Sequence, residues 1–453
     1  MFRNTISSLL TLSFACMGGS TLHAQDSWTL QACINWAVLH SAQMEVQHAG
    51  NRIQDVNLRD ASLNLLPSVS GSSSAGYTFG RSPDPATNTY SNTQYFGNSY
   101  SLDAYMPLFN GFANINNVRF EKLGQLKGRK ETQKRADDIA VEVLKLYYDV
   151  LYRKGLVTLA QEQVDLSAKE VARMRRYTEL GLKAHADIAD AEAKHASDEY
   201  TLINSQNVYE DALLNLKRCM SWPVDLPLLL EAAPEELRNV VDVSVCADSL
   251  YITALAFLPK SEASELGVRQ ARAALAVQKG LLFPRLSLGG GYGTGFYSSR
   301  KDENGNLISF SEQFSNNASQ RVSISLSIPI FSGLNRWSGK QRAQQNLRIA
   351  EANHNDLMQE VYKEVQKAVQ DLTASIKAYE QALKHERARE LAYKVNEKKY
   401  EEGLISILDL HTSANLLLAA KVETIGSHLR MNAQRRLLAY YEGFPLVTVD
   451  ISN

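Results

Sequence analysis

The sequence predicts an α+β membrane protein, built as a tandem duplication, with four transmembrane β-strands per chain continued by long coiled-coil helices. Three observations lead there. Motifs recur at a fixed offset, two helical stretches are far longer than a globular core needs, and four short segments alternate apolar side chains with serine or glycine.

The repeat organises the chain. "PLFNGF" at Pro107 matches "PIFSGL" at Pro329, 222 residues later, and the same offset carries Val143 onto Val365, Asp149 onto Asp371, Gly181 onto Gly403 and Asp187 onto Asp409. Upstream, "LLPSVS" at Pro67 matches "LFPRLS" at Pro284, at an offset of 217. A fixed offset of this kind is the mark of duplicated architecture. The predicted division is a leader over 1–24, a first repeat with its connector over 25–245, and a second repeat with a tail over 246–453.

Each copy predicts the same elements in order. In the first, a helix over 30–65 stops before Pro67, because proline disfavours helix in the residue before it. Two alternating segments follow, separated by a loop of about twenty residues and closing at Pro107. Then come a helix over 113–180, a break at "GLKA" and a helix over 185–218. The second copy repeats this over 246–282, 285–296, 320–329, 335–402 and 407–441. In each copy the two shorter helices, stacked end to end, match the long one at about 100 Å. Their junction therefore falls mid-column, together with the 219–245 connector and the 442–453 tail. Within the first long helix Val143, Val150, Val157, Val164 and Val171 recur every seven residues, which is a coiled-coil seam. The second copy keeps a looser version through Val361, Val365, Leu372, Ile376, Tyr379 and Leu383.

The strands decide what "SLGGGYGTGF" is for. From Leu286, alternate positions read Leu, Leu, Gly, Tyr, Thr, Phe on one face and only Ser or Gly on the other. "RVSISLSIP" alternates Val322, Ile324, Leu326 and Ile328 with serines. In the first copy Val69, Ala75, Tyr77 and Phe79 alternate with Ser68, Ser70, Ser72 and Ser74, and Tyr100, Leu102, Ala104 and Met106 alternate with Ser99, Ser101 and Asp103. Segments of about ten residues with this dyad pattern are the signature of transmembrane strands, apolar outward and polar inward. Tyr77, Phe79, Phe96, Tyr100, Phe296 and Tyr297 cluster at the loop ends as an interface girdle, and the loop "SSRKDENGNLISFSEQ" is polar enough for water. A dinucleotide loop needs G-x-G-x-x-G leading into a helix. Gly291, Gly293 and Gly295 have the wrong spacing, and a polar loop follows them. Four strands leave two open edges, whose unpaired backbone groups are costly in lipid, so the barrel must close with further copies of the chain. Two copies give eight strands and a filled interior, twelve or more strands a lumen; the sequence alone does not choose.

Composition sets the remaining bounds. The 453 residues are 44% apolar and 21% charged with a net charge of −1, which excludes a disordered chain and a polybasic nucleic-acid surface. The N-terminal run to Ala24 reads as a cleavable secretory signal. Cys16 as a lipidated first residue is the alternative, disfavoured because "SFAC" lacks the usual aliphatic residue. Of Cys33, Cys219 and Cys246, either Cys33 and Cys246 pair or all three are buried thiols. His185 and His195 lack any metal-ligand pattern, so no metal, cofactor or enzymatic constellation is expected.

The duplicated order of helix, Leu/Phe-Pro strand, strand ending in P-[LI]-F-[NS]-G and long helix resembles the TolC family of outer-membrane efflux proteins. So do the tyrosine and "GL" ahead of an aspartate at "YTELGLKAHAD" and "YEEGLISILD". The resemblance implies a homotrimer, with a twelve-stranded barrel among outer-membrane lipid and an antiparallel coiled-coil α-helical barrel through the periplasm. It also implies two partners, a periplasmic adaptor protein and an inner-membrane RND or ABC pump. By the same resemblance Asp409 and Asp187 form the pore constriction, Tyr400 and Tyr177 make tip contacts with Tyr400 reaching Asp187, and Gly181, Leu182, Gly403 and Leu404 receive the adaptor. Ile405 and Thr412 stand where the family prototype has an arginine and a second ring aspartate. A ring of carboxylates on a narrow axis favours cations and binds divalent ions. Against that, Ser406 to Asp409 is also S-x-x-D at a helix start, a capping-box relative, and Asp187 suits a helix dipole. The other function to weigh is a soluble periplasmic coiled-coil scaffold.

Overall fold

The computed structural model describes residues 27–83, 89–223, 225–231 and 246–450; the leader with Cys16 lies outside them. Both predicted barrel-proximal helices are broken in two. The first becomes α1 (Leu30–His40) and α2 (Ala42–Leu63), because Ser41 is extended and its hydroxyl accepts from the Gln43 amide to start a new helix. After the hairpin β1 (Ser68–Pro83) and β2 (Tyr90–Phe109) come α3 (Ala113–Glu179) and α4 (His185–Cys219). The second copy begins with α5 (Ala247–Leu255) and α6 (Pro259–Gly280), where an extended Leu258 and a first-turn proline impose the break. Then follow β3 (Arg285–Tyr297), a short α7 (Phe310–Asn316), β4 (Ser319–Ser327), α8 (Asn335–Glu401) and α9 (Ile407–Tyr441).

Helix lengths coincide between the copies. α3 and α8 have 67 residues each, α4 and α9 35 each, α2 and α6 22 each. α2 lies along the first part of α3 and α4 along the last part. The junction between them is the mid-column core: Cys33, Ile34, Val38, Val143, Val150, Leu216 and Met220 are buried there. Trp28 packs edge to face on Trp36 and Trp222, which meet each other at a tilt, and the tail ties down as Gln31 donates to the Leu446 carbonyl at 2.9 Å. Val143, Val150 and Val171 of the heptad are buried and Val157 and Val164 half-buried, as a seam requires. Cys33 is buried, Cys219 half-buried and Cys246 exposed, and all three are free thiols. The pairing of Cys33 with Cys246 is therefore not made, and burial of all three is corrected to burial of Cys33 alone.

The sheet is a four-stranded antiparallel meander in sequence order. Its register places the predicted apolar set on one face: Val69 opposite Ala104, Leu102 opposite Tyr292, Met106 opposite Leu288, and Leu288 opposite Ile324. The other face carries hydroxyls that bond across strands, Ser72 to Ser101 and Ser74 to Ser99 at 2.8 Å. The glycine run of β3 lies there. A Cβ on Gly291 would sit 2.9 Å from Asp103 Oδ1, in the way of the Asp103–Arg321 ion pair that spans β3 at 3.6 Å. Two lengths differ from expectation. β1 and β2 pair continuously from Ser68–Tyr105 to Pro83–Tyr90, so the twenty-residue loop is mostly strand. The polar loop after β3 contains α7.

Strand passes to long helix through consecutive left-handed residues in both copies, Gly111 and Phe112 (φ 66° and 62°), and Gly333 and Leu334 (φ 59° and 61°). Such a conformation strains any residue with a Cβ. The two bends differ in crowding, because Gly111 packs backbone to backbone on Gly280.

One mid-column carboxyl yields a pH prediction. Asp137 accepts from the Tyr440 hydroxyl at 2.8 Å, and burial pushes its carboxyl up to about 6. A raised acid favours the folded state while protonated, so its contribution is full below about 4 and is lost as pH rises through 6. Asp137→Asn keeps an acceptor for Tyr440 without the charge. At pH 7.5 the variant is expected to be about 1–2 kcal/mol more stable than the parent, allowing for partial solvent access. Thermal melts should show the gap closing by pH 4.

Candidate functional site at the helical tip

The end of the column farthest from the sheet is made by two helical hairpins, α3–α4 and α8–α9. Each turn is closed by the same backbone device. Gly181 (φ 71°) follows the end of α3, its amide donates to Thr178 O at 2.9 Å, and the Leu182 amide donates to Tyr177 O at 2.8 Å. Gly403 (φ 75°) donates to Tyr400 O at 3.0 Å, and Leu404 to Lys399 O at 2.8 Å. This pair of bonds is the Schellman motif, and glycine is there for the left-handed φ. The motif commonly tucks its next residue against the helix. Here both leucines stand out instead, Leu182 68% and Leu404 67% exposed.

The two aspartates open the returning helices. Asp409 is exposed at the third position of α9 and closes a complete capping box. Its Oδ2 accepts from the Ser406 amide at 3.2 Å and from the Ser406 hydroxyl at 2.7 Å, while its own amide donates to Ser406 Oγ at 3.2 Å. The cap and an exposed carboxylate at the tip therefore coexist. Asp187 makes only the returning half, accepting from the Ala184 amide at 2.9 Å, because alanine has no side-chain acceptor to offer.

Tyr400 lies between the hairpins, buried with Val171, Met174, Ala191 and Leu410. Its hydroxyl is directed to Met174 Sδ at 3.8 Å and not to Asp187, whose bond goes to its own cap. The Arg173 guanidinium and the Lys183 ammonium lie 5.3 and 5.6 Å from the Tyr400 ring centroid, within cation–π range. Burial, reinforced by Glu170, raises the Tyr400 phenol above its ordinary value. Tyr177, in the last turn of α3, is exposed.

Above this layer a cavity of about 260 Å³ separates the hairpins, lined by Glu170, Arg173, Lys194, Glu397 and His411. Glu170 pairs with Arg173 at 2.6 Å, and Lys194 with Asp198. Burial, then Lys194, lowers His411 below the ordinary imidazole value. Sequence reasoning did not reach this polar layer. The i, i+3 and i, i+4 pairs were visible singly, but not that two hairpins turn them toward each other. Ile405 joins the apolar layer, and the Thr412 hydroxyl bonds back to Leu408 O at 2.8 Å. Neither supplies a charge. Among the described residues, no three His, Cys, Asp or Glu side chains are grouped to hold a metal.

Residues 33–221 and 250–441 match the outer membrane efflux protein family. The chain is 25% identical over 190 residues to outer membrane efflux protein BepC of Brucella suis, covering 42% of this chain and 40% of BepC. It is 22% identical over 330 residues to alkaline protease secretion protein AprF of Pseudomonas aeruginosa, covering 71% of this chain and 65% of AprF. It thus aligns with less than two thirds of either curated relative. The fold is shared with the Campylobacter jejuni CmeC outer membrane channel, at a TM-score of 0.78 and 16% identity over 93% of this chain and 87% of that one.

Proposed function

This chain belongs to the outer membrane efflux protein family, and we propose that it is the outer-membrane conduit of a tripartite export system. In this reading three copies close a twelve-stranded barrel, and their helical columns form a tunnel through the periplasm. A periplasmic adaptor docks at the tip and couples it to an inner-membrane RND or ABC pump, which supplies the energy. The first repeat, 25–245, and the second, 246–453, contribute equivalent halves of each wall segment. Placement in the outer membrane leaves no role for the soluble-scaffold alternative.

The observation that carries the reading is the two-faced, open-edged sheet. Four strands expose Val322, Ile324 and Leu326 on one side and a hydroxyl and glycine surface on the other, with free edges at β1 and β4. Lipid requires those edges to be paired, and twelve strands are enough to keep a lumen open. At the other end the exposed Leu182 and Leu404 give an adaptor an apolar point in each repeat. Asp409, with Asp187 one hairpin away, supplies the carboxylates of the constriction. Tyr400 and Tyr177 flank them, with Tyr400 acting through packing between the coils.

The gate is tested by separating charge from cap. Asp409→Asn keeps an oxygen that accepts from the Ser406 amide but removes the charge. Ser406→Ala leaves the charge and weakens the cap by about 1 kcal/mol. In planar bilayers, Asp409→Asn and Asp409→Ala are expected to raise resting conductance and relieve block by divalent cations, with Ser406→Ala close to the parent. Unchanged conductance and block in both Asp409 variants would remove Asp409 from the gate.

A further inference from the structure

The 298–318 connection between β3 and β4 folds back on the sheet through α7, at the strand ends farthest from the long helices. Its anchoring is extensive. Thr294 Oγ1 donates to Phe314 O at 2.6 Å. Gln313, 1% exposed, accepts from the Tyr297 amide at 3.0 Å and donates to the carbonyls of Tyr297 and Ile308 at 3.0 and 2.9 Å. Asn317 Nδ2 donates to Gly295 O at 2.6 Å, and Arg300 donates to Asn317 Oδ1 at 2.5 Å. A buried amide with every group satisfied fixes the helix in one place.

That place is the apolar face. Thr294 is in register with Tyr100, and Phe296 with Asn98, on the same side as Leu102, Leu288 and Ile324. Phe314 meets the Tyr100 ring edge-on at 5.7 Å, Phe310 meets Phe296 at 5.5 Å, and the two phenylalanines of α7 lie 5.6 Å apart. Their outer surfaces remain open, Phe310 45% and Phe314 39% exposed. The serine and glycine face is on the other side of the sheet, so α7 does not obstruct the lumen. Further copies of the chain add at the β1 and β4 edges, whereas α7 packs over Tyr100 and Phe296, in the middle strands β2 and β3.

We infer that α7 is an interfacial helix, which inserts Phe310 and Phe314 into the boundary between headgroups and acyl chains of the outer leaflet, outside the barrel wall. Aromatic rings favour that depth. The exposed Ser309, Ser311 and Glu312 lie on the same short helix and its cap, where headgroups and water reach them. On the same face Leu102 and Tyr292 lead up to Tyr100, which Phe314 covers, so the lipid that covers the strands reaches these rings. The contact holds the external rim at a fixed height in the membrane.

The inference rests on the outer-membrane reading, and the test keeps the two apart. Full-length Phe310→Trp channel is reconstituted in phosphatidylcholine vesicles containing lipid brominated either near the headgroup or deep in the acyl chain. Emission is read as the difference from the parent channel. The added emission is expected to fall about twofold with the shallow bromolipid, less with the deep one, and little with aqueous iodide. Ile324→Trp on β4 is the control for the lipid-facing wall. Quenching of Phe310→Trp by iodide alone, or by neither agent, overturns the inference, and a lipid-quenched Ile324→Trp then leaves the conduit standing. If Ile324→Trp also escapes lipid quenching, both readings fail. Phe314→Trp gives the same readout should Phe310→Trp not assemble.

Discussion

Gly111→Ala is expected to abolish the folded channel, although it adds a single methyl group. An ideal Cβ at Gly111 would lie 2.2 Å from Gly280 O and 2.8 Å from Phe283 Cβ. The obstacle is backbone and cannot be moved aside by a rotamer change. The left-handed φ of 66° adds its own strain. The combined cost is on the order of 4 kcal/mol or more, the range reached by few single substitutions. Gly280→Ala should behave alike, since its Cβ would lie 2.6 Å from Gly111 O. The duplicated counterpart provides the control. Gly333 has a similar φ of 59° but nothing within 4 Å of a Cβ, so Gly333→Ala should cost only about 1–2 kcal/mol. Unboiled gels of membrane extracts would show the oligomer band lost for Gly111→Ala and retained for Gly333→Ala. Equal outcomes would refute the packing argument.

The second large effect is expected on the wall of the barrel. Ile324 lies within β4 on the apolar face, 69% exposed in the isolated chain. Arginine facing lipid near the bilayer midplane costs about 2–4 kcal/mol per copy, so Ile324→Arg should block assembly in the membrane. Ser325 is the next residue and faces the other way, in register with Ser287. Ser325→Arg should assemble normally, and the positive charges it adds to the lumen should shift reversal potentials toward anion preference. A one-residue step thus separates loss of the protein from a change of selectivity. If both variants assemble, the assignment of faces is wrong.

Much of this was legible in the sequence, for a physical reason. Strand faces alternate strictly, so Val322, Ile324 and Leu326 could be assigned a side before any register was known, and the register agrees. Asp409 was visible as a cap because a capping box is a local, four-residue pattern. Distant pairings were not readable in this way. The bond from Tyr400 to Met174 joins residues 226 apart, and no local pattern distinguishes it from the Asp187 contact expected by resemblance. α7 was hidden by its charged neighbours "RKDE", which made the whole connection look like a solvated loop. The spacing of Phe310 and Phe314 by four, one helical turn, was the signal available. The break at Pro259 could be read from proline chemistry, and the break at Ser41 only from the extended backbone that Ser41 adopts.

The bare side of β3 also bears on how wide the bore can become. Gly295 is closed to any larger residue by the Asn98 backbone carbonyl at 2.7 Å, whereas Gly291 is hemmed in by the Asp103 carboxylate at 2.9 Å, a side chain that can move only by disturbing its pairing with Arg321. Gly293 between them is different: its nearest neighbour, Tyr100 O, is 3.5 Å away, an ordinary contact distance. A side chain can therefore be added to the bare side of β3 at Gly293 without displacing a neighbour, with the outer face and the strand pairing left untouched. Among the glycines of this furrow, Gly293 is the one where the passage for cargo can be narrowed with the least disturbance.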